Sequence, residues 1–270
     1  MQRYKLLGKK TPIDVNERRL VALEREQKFL RKIGKGNWEQ GLRENNIDLA
    51  VNFAVIQYLD VFEVDDLNRR LNVGVDQSLD YFCGDWWKNS TTDSTYLDKS
   101  QPNHSLIWSN PYLHAAFLCG LTQRWSDLQR ISEWVDESVC PEITFGAIDD
   151  EFVVFLIYIA STLRSRPLPA HEALRQAVER GRPKRPRLLL KAFQSATEDD
   201  QATFDHAIIE SLKHCEKYEV EDVGNLNYWV GIPQSFICAI AERNGLTVPI
   251  LPPHLDLLTV RRSAIGLEPC

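Results

Sequence analysis

The feature that most constrains the fold of this chain is an unbroken apolar run in its middle. Residues Phe152 to Ala160 form nine consecutive apolar positions within a helical segment predicted from Asp150 to Arg164. A helix that is apolar on every face must be enclosed by other elements, so this segment predicts the central helix of a helical core. The run is about half of the ~20 residues that a membrane-spanning helix needs, which argues against a membrane protein.

Apolar residues at spacings of three and four continue along most of the chain and predict further helices. Asp14 to Glu17 reads as a capping box, and Thr197 to Asp200 is predicted to cap a helix that runs to about Tyr218. The predicted helices cover approximately residues 14–33, 47–62, 75–87, 150–164, 169–180, 187–195, 197–218 and 233–244, and others begin near residues 110 and 126.

These patterns predict an all-α fold, with residues 1–270 in a single domain of about nine to eleven helices. A short β-like segment is expected near residues 246–251, where Pro249 and Pro252 interrupt a strand-like pattern. We expect residues 1–12 to be flexible and the polar stretch 88–109 to form a long loop.

The charge balance and the cysteines restrict the partners and the compartment. The formal net charge is −6 and the pI is about 5.6, which makes nucleic acid an unexpected partner because phosphate binding needs a positive surface. The N-terminus contains no apolar run of signal-peptide length, and the six cysteines include no CxxC pair. We therefore expect a reduced cytoplasmic protein without a cofactor.

One set of residues has a spacing that metal ligands can use. His206, Glu210 and His214 follow at intervals of four on one predicted helix, so they project from one strip. Three ligands at this spacing on a straight helix cannot close a tetrahedral zinc site alone. A solvent-exposed face is the simpler interpretation. A metal-dependent helical hydrolase that uses this strip stays open as an alternative.

No other motif indicates a catalytic residue. His171 and Glu172 begin a string like HExxH, but Arg175 occupies the position of the second histidine. Five basic residues lie between positions 180 and 187, and they could contact phosphates. The prolines and the glycine in this run favour a solvated loop between helices. A helical adaptor that binds through it is a further alternative.

Aromatic and acidic residues are the candidates for contact with a protein partner, because aromatic residues anchor interfaces and charges set association rates. The aromatic candidates are Trp86 and Trp87. The acidic candidates lie mostly at predicted helix ends and are Asp149, Asp150, Glu151, Glu198, Asp199, Asp200, Glu219, Glu221 and Asp222. Where they open a helix, they also suit the positive end of its dipole.

The order of segments in the C-terminal half resembles a known family. A helix ends in the string His214 to Tyr218, an acidic loop and Asn227-Tyr228-Trp229 follow, and then come a small-residue helix over 236–246 and a proline-flanked tail over 248–255. This order is similar to the Imm49 family of bacterial immunity proteins, which are all-helical and are encoded beside polymorphic toxins. The similarity covers roughly residues 105–258.

The resemblance implies that the chain binds a cognate protein toxin and neutralises it stoichiometrically in the cytoplasm of the producing cell. Such a function requires a rigid surface that blocks the toxin, and it requires no catalytic residue. Many toxins of this kind are nucleases with basic faces, so the acidic clusters would steer the association.

Overall fold

The computed structural model describes residues 15–33, 40–59, 64–84, 109–135, 151–218 and 230–267. Within these ranges the chain forms eleven α-helices and no strand, which confirms the predicted all-α fold. The helices are α1 (Val15–Ile33), α2 (Gln40–Tyr58), α3 (Leu67–Cys83), α4 (Ser109–Thr122), α5 (Trp125–Ser132), α6 (Glu151–Leu163), α7 (His171–Arg180), α8 (Lys184–Thr197), α9 (Gln201–Tyr218), α10 (Ile232–Arg243) and α11 (Pro253–Asp256). A single 3-10 turn, Ser263–Ile265, follows α11.

Two of the expectations about chain organisation concern residues that lie outside these ranges. The stretch expected to be flexible, 1–12, is one of them, and the long loop expected over 88–109 is the other, apart from Ser109, which begins α4. Nearly all buried apolar side chains of the described ranges form one core cluster, which extends from α1 to the C-terminal segment, residues 253–267. A single domain over the whole chain stays a prediction.

Three helices, α4, α6 and α10, have no exposed face over most of their length. Every side chain from Phe152 to Ser161 is buried, so α6 is a central helix as predicted. Helix α10 is buried from Ile232 to Ala241, and α4 is buried over residues 111–121. Helix α4 contacts α2, α3, α5, α6 and α10, which cover it on all sides. No helix in the described ranges has the length and apolarity required to cross a membrane.

A glycine allows α2, α3 and α4 to approach one another closely. A Cβ atom placed on Gly74 of α3 would lie 2.4 Å from the Cβ atom of Ala50 in α2 and 2.8 Å from Cδ1 of Leu118 in α4. Both separations are shorter than van der Waals contact, so the three helices can pack at this distance only because residue 74 has no side chain. The packing gain offsets the cost of glycine inside a helix, which is about 1 kcal/mol relative to alanine.

We predict that Gly74→Ala lowers the free energy of unfolding by about 1–3 kcal/mol, because the added methyl group overpacks the junction. Urea unfolding followed by circular dichroism measures this change. The exposed neighbouring residue provides the control, and Val73→Ala should change stability by less than about 0.5 kcal/mol. A Gly74→Ala chain that is as stable as the parent would contradict the predicted overlap.

Helix α1 is connected to the core by a shielded ion pair. The guanidinium of Arg70 in α3 donates two parallel hydrogen bonds of 2.9 Å to the carboxylate of Glu26 in α1. The two side chains are only 12% and 13% exposed, and the guanidinium also stacks 4.5 Å above the ring of Phe53 in α2. Because bidentate geometry fixes the orientation of both partners, this contact sets the position of α1 on the α2–α3 pair.

The prediction of a β-like segment at 246–251 is wrong, because this stretch pairs with no strand in the part of the chain that the structure describes. Its backbone is satisfied by a side chain instead. The amide N–H of Thr247 donates to Oε1 of Gln201 over 2.9 Å, and the Thr247 carbonyl accepts from Nε2 of the same glutamine over 2.8 Å. Leu246, Val248 and Leu251 are buried and attach the segment to the core.

Several predicted helix starts are displaced; for example, the helix predicted from residue 75 begins at Leu67. Two of the displacements have local reasons. Helix α8 begins at Lys184 and not at residue 187, because Pro186 lies in the first helical turn, where no backbone N–H is required. Thr197 does not cap the following helix. It is the last residue of α8, and its hydroxyl donates back to the carbonyls of Phe193 and Gln194.

Candidate protein-binding surface

Only some of the predicted contact residues lie in the part of the chain that the structure describes. Trp86, Trp87, Asp149, Asp150, Glu219, Glu221 and Asp222 lie outside the described residues. Glu151 lies near the start of α8, against Gly181. A Cβ atom placed on that glycine would be 3.2 Å from the Cγ atom of Glu151. Glu198, Asp199 and Asp200 follow the end of the same helix. Because α8 has 14 residues, its ends are about 20 Å apart, so Glu151 is separate from the other three.

Residues 198–200 form an exposed acidic turn between α8 and α9. The backbone N–H of Asp200 donates to the carbonyl of Ser195 over 3.0 Å, and Asp199 adopts a left-handed conformation with φ of 59°. This combination is the Schellman termination of a helix, with aspartate at the position where glycine is most common. Aspartate tolerates this conformation better than most residues, so the turn keeps a charged side chain at its tip.

Asp200 is the cap of α9. Its Oδ1 atom accepts a hydrogen bond of 3.1 Å from the backbone N–H of Thr203. Hydrogen bonds from the side chain and the backbone of Thr203 lower the pKa of this carboxyl. Asp200 therefore has a structural role in addition to its charge.

Glu198 and Asp199 have no such structural partner. Both are exposed, and neither carboxylate joins an ion pair or accepts a hydrogen bond from a residue that the structure describes. Other acidic residues are paired; for example, Arg124 contacts both Asp76 and Asp127 at 2.6 Å. The acidic turn therefore carries negative charge that no neighbour in the described ranges compensates.

The segment 244–250 lies directly beside the acidic turn. The side-chain amide of Asn244 donates to the carbonyl of Ala196, in the last turn of α8, over 2.9 Å. The two hydrogen bonds between Gln201 and Thr247 connect the next part of the segment to the first residue of α9. These contacts flank residues 198–200 on both sides, so the acidic turn and the segment form one surface.

Ile250, three residues beyond Thr247 in this segment, is a fully exposed apolar residue. Its relative exposure is 100%, whereas the other large exposed apolar residues of the described ranges, Leu20, Leu30, Val73 and Tyr218, are 37–57% exposed. The sequence pattern predicts that Ile250 is buried, because a strand with a period of two places residues 246, 248 and 250 on the same face. In the structure the alternation breaks at Pro249, and Leu251 replaces Ile250 in the core.

The same segment lines a cavity of about 310 Å³ whose other wall comes from the C-terminal segment. Residues Leu246, Thr247 and Val248 form one side, and Arg261, Arg262 and Ser263 form the other. Glu242, at the end of α10, contributes a carboxylate to the cavity. Burial raises the pKa of Glu242, and the positive charges of Arg261 and Arg262 oppose only part of that rise.

We predict that Glu242→Gln raises the melting temperature at pH 7 by at most a few degrees and leaves it unchanged near pH 3. The folded chain binds the Glu242 proton more tightly than the unfolded chain does, so the ionised carboxylate is a cost that is present at neutral pH. Below the ordinary glutamate pKa of about 4.3, the residue is neutral in both states and the cost disappears. Thermal unfolding at the two pH values measures it. Equal melting temperatures at pH 7 would contradict the raised pKa.

The predicted metal strip lies on α9 without converging on a site. His206 and His214 are eight residues apart, about 12 Å along the helix axis. Glu210 is paired with Lys213 at 2.9 Å, and the ring of His214 lies 4.8 Å from that of Tyr218. Across the described ranges, no group of three or more His, Cys, Asp or Glu residues is arranged to hold a metal ion.

A serine–histidine pair that the sequence did not indicate occurs between α6 and α7. Ser161 Oγ lies 2.9 Å from Nδ1 of His171, and it also accepts a hydrogen bond of 3.0 Å from the backbone N–H of Leu168. Burial lowers the pKa of His171. The serine hydroxyl is completely buried and connects the α6–α7 loop to the core, so a substrate cannot reach it as a nucleophile.

The basic run at 180–187 is divided between two helices and does not form the predicted loop. Arg180 ends α7, and residues 184–187 open α8. The guanidinium of Arg185 stacks 4.1 Å from the ring centre of Phe152, and Arg187 donates to the carbonyls of Arg182 and Pro183. Arg180 also donates to Oε1 of Gln176 over 3.3 Å, so at least three of the five basic side chains have packing or hydrogen-bonding roles within the protein.

Comparison with known proteins finds no family model, no characterised protein and no solved structure that matches this chain.

Proposed function

We propose that this chain is an immunity protein that binds a cognate bacterial toxin stoichiometrically and neutralises it in the cytoplasm. The proposal begins with the resemblance of residues 105–258 to the Imm49 family. The structural observation that supports it most is the complete exposure of Ile250, in the segment that Asn244 and Thr247 attach to the two sides of the acidic turn. This arrangement provides an apolar anchor and a charged rim on one surface, which is the composition of protein interfaces.

Ile250 supplies binding free energy. Burying a fully exposed isoleucine side chain contributes about 1.5–3 kcal/mol. The backbone on both sides is already fixed, because Val248 and Leu251 are buried and Thr247 is bonded to Gln201. Little conformational entropy is therefore lost when a partner covers the side chain.

Glu198 and Asp199 supply the electrostatic attraction. Their carboxylates are adjacent, exposed and without a counter-charge among the described residues, so they favour a partner with a basic face. A nuclease-type toxin has such a face because its substrate is a polyanion. Binding there blocks access of the nucleic acid to the toxin, and it needs no chemistry from the immunity protein.

We predict that Ile250→Asp abolishes protection of cells that express the toxin encoded by a neighbouring gene. The affinity for that toxin should fall at least about 30-fold, which corresponds to the loss of a ~2 kcal/mol hot spot. Growth assays and calorimetric titration measure the two effects. The fold should be unaffected, because residue 250 contacts solvent on all sides.

Leu30→Asp is the matched control, because Leu30 is a half-exposed apolar residue on α1. It should bind the toxin like the parent chain.

The double variant Glu198→Lys, Asp199→Lys should slow association about tenfold at low salt and reduce its salt dependence. The proposed surface would be refuted if Ile250→Asp protected cells as well as the parent, or if Leu30→Asp alone lost protection.

A further inference from the structure

The cavity between residues 242–248 and 261–263 is lined by a carboxylate and two guanidiniums, and the carboxylate forms no ion pair with either of them. Glu242 neither forms an ion pair nor accepts a hydrogen bond from any residue that the structure describes. Arg261 and Arg262 are close enough to affect its titration, yet no hydrogen bond joins either of them to it. A half-buried carboxylate and a guanidinium therefore face the same cavity as separate groups.

Arg261 keeps N–H donors that can bind a ligand in the cavity. Its Nη2 atom is paired with the carboxylate of Asp256, and its side chain is about one-third exposed. A guanidinium has five N–H donors in a planar fork, so this one can bind an additional carboxylate while it keeps Asp256. Arg262, in contrast, donates to the carbonyl of Leu121 at the end of α4, which gives it a structural role.

The charges limit the class of ligand that the cavity can accept. A simple cation is attracted by Glu242 and repelled by the guanidiniums, and a simple anion is attracted by the guanidiniums and repelled by Glu242, so neither satisfies every charge. A molecule with an ammonium and a carboxylate can satisfy both sides at once. The volume of about 310 Å³ is near the lower limit of ~300–1,000 Å³ for small-molecule sites, which excludes large cofactors.

We propose that this cavity binds a free aliphatic α-amino acid, with its ammonium at Glu242, its carboxylate at Arg261 and its side chain against Leu246 and Val248. The two apolar residues line the cavity, and they provide a surface for an aliphatic group. This site is independent of the proposed toxin-binding function, so either can fail without the other.

Calorimetric titration with L-valine and two analogues tests the proposal. Isobutylamine is valine without the carboxylate, and isovalerate is valine without the ammonium. Each analogue should bind at least about tenfold more weakly than L-valine, because each lacks one charged hydrogen-bonding group. No heat of binding for L-valine at millimolar concentrations, or equal affinities for the three compounds, would overturn it.

Two variants assign the charges to residues. Glu242→Gln should weaken L-valine about tenfold and should strengthen isovalerate, because it removes the repulsion of the carboxylate. Arg261→Gln should weaken both compounds. Glu198→Gln, on the exposed acidic turn, is the control and should bind L-valine like the parent chain. If Glu242→Gln bound L-valine as tightly as the parent, the assignment of the ammonium would be wrong, whatever the stability of the arginine variant.

Discussion

Enclosure of three helices that are buried on every side determines the rest of this fold. Helices α4, α6 and α10 cannot face water, so each needs neighbours around its whole circumference. Close approach is achieved with small residues. Gly74 allows α3 to contact α2 and α4. Gly120 of α4 lies against α10, and a Cβ atom placed on it would be only 3.0 Å from the Cβ atom of Ala239. Volume at these positions is therefore as constrained as polarity.

The same enclosure fixes the surface that we propose for binding. The C-terminal segment covers α10 and is attached to α2 by the hydrogen bond of 2.7 Å from Tyr58 to the Asp256 carbonyl. It is also attached to α10 by the backbone N–H of Val260, which donates 2.9 Å to Ser235. Leu246, Val248 and Leu251 are buried, and Ile250 projects from the segment that they attach to the core. A segment held from both sides presents an exposed apolar side chain with little freedom, which favours tight association.

The sequence predicts what local pattern determines, and it fails where distant residues decide. Helix α6 is predictable because a continuous apolar run has one interpretation at this length. Ile250 could not be identified, because its exposure depends on Gln201 holding Thr247, a contact between residues 46 positions apart. The cap predicted for α9 is wrong because the hydroxyl of Thr197 bonds to α8 instead. The three adjacent acidic residues are apparent without the fold, but their position in a turn between two helices is not, because the pattern predicts a helix that begins at residue 197.

Hydrogen–deuterium exchange of the chain, alone and in complex with its toxin, tests the central claim most directly. If Ile250 and the acidic turn form the interface, exchange should slow at residues 198–203 and 244–251 on binding, and it should stay unchanged in α1. Slower exchange confined to α1 or to the start of α8, with residues 244–251 unaffected, would contradict the account.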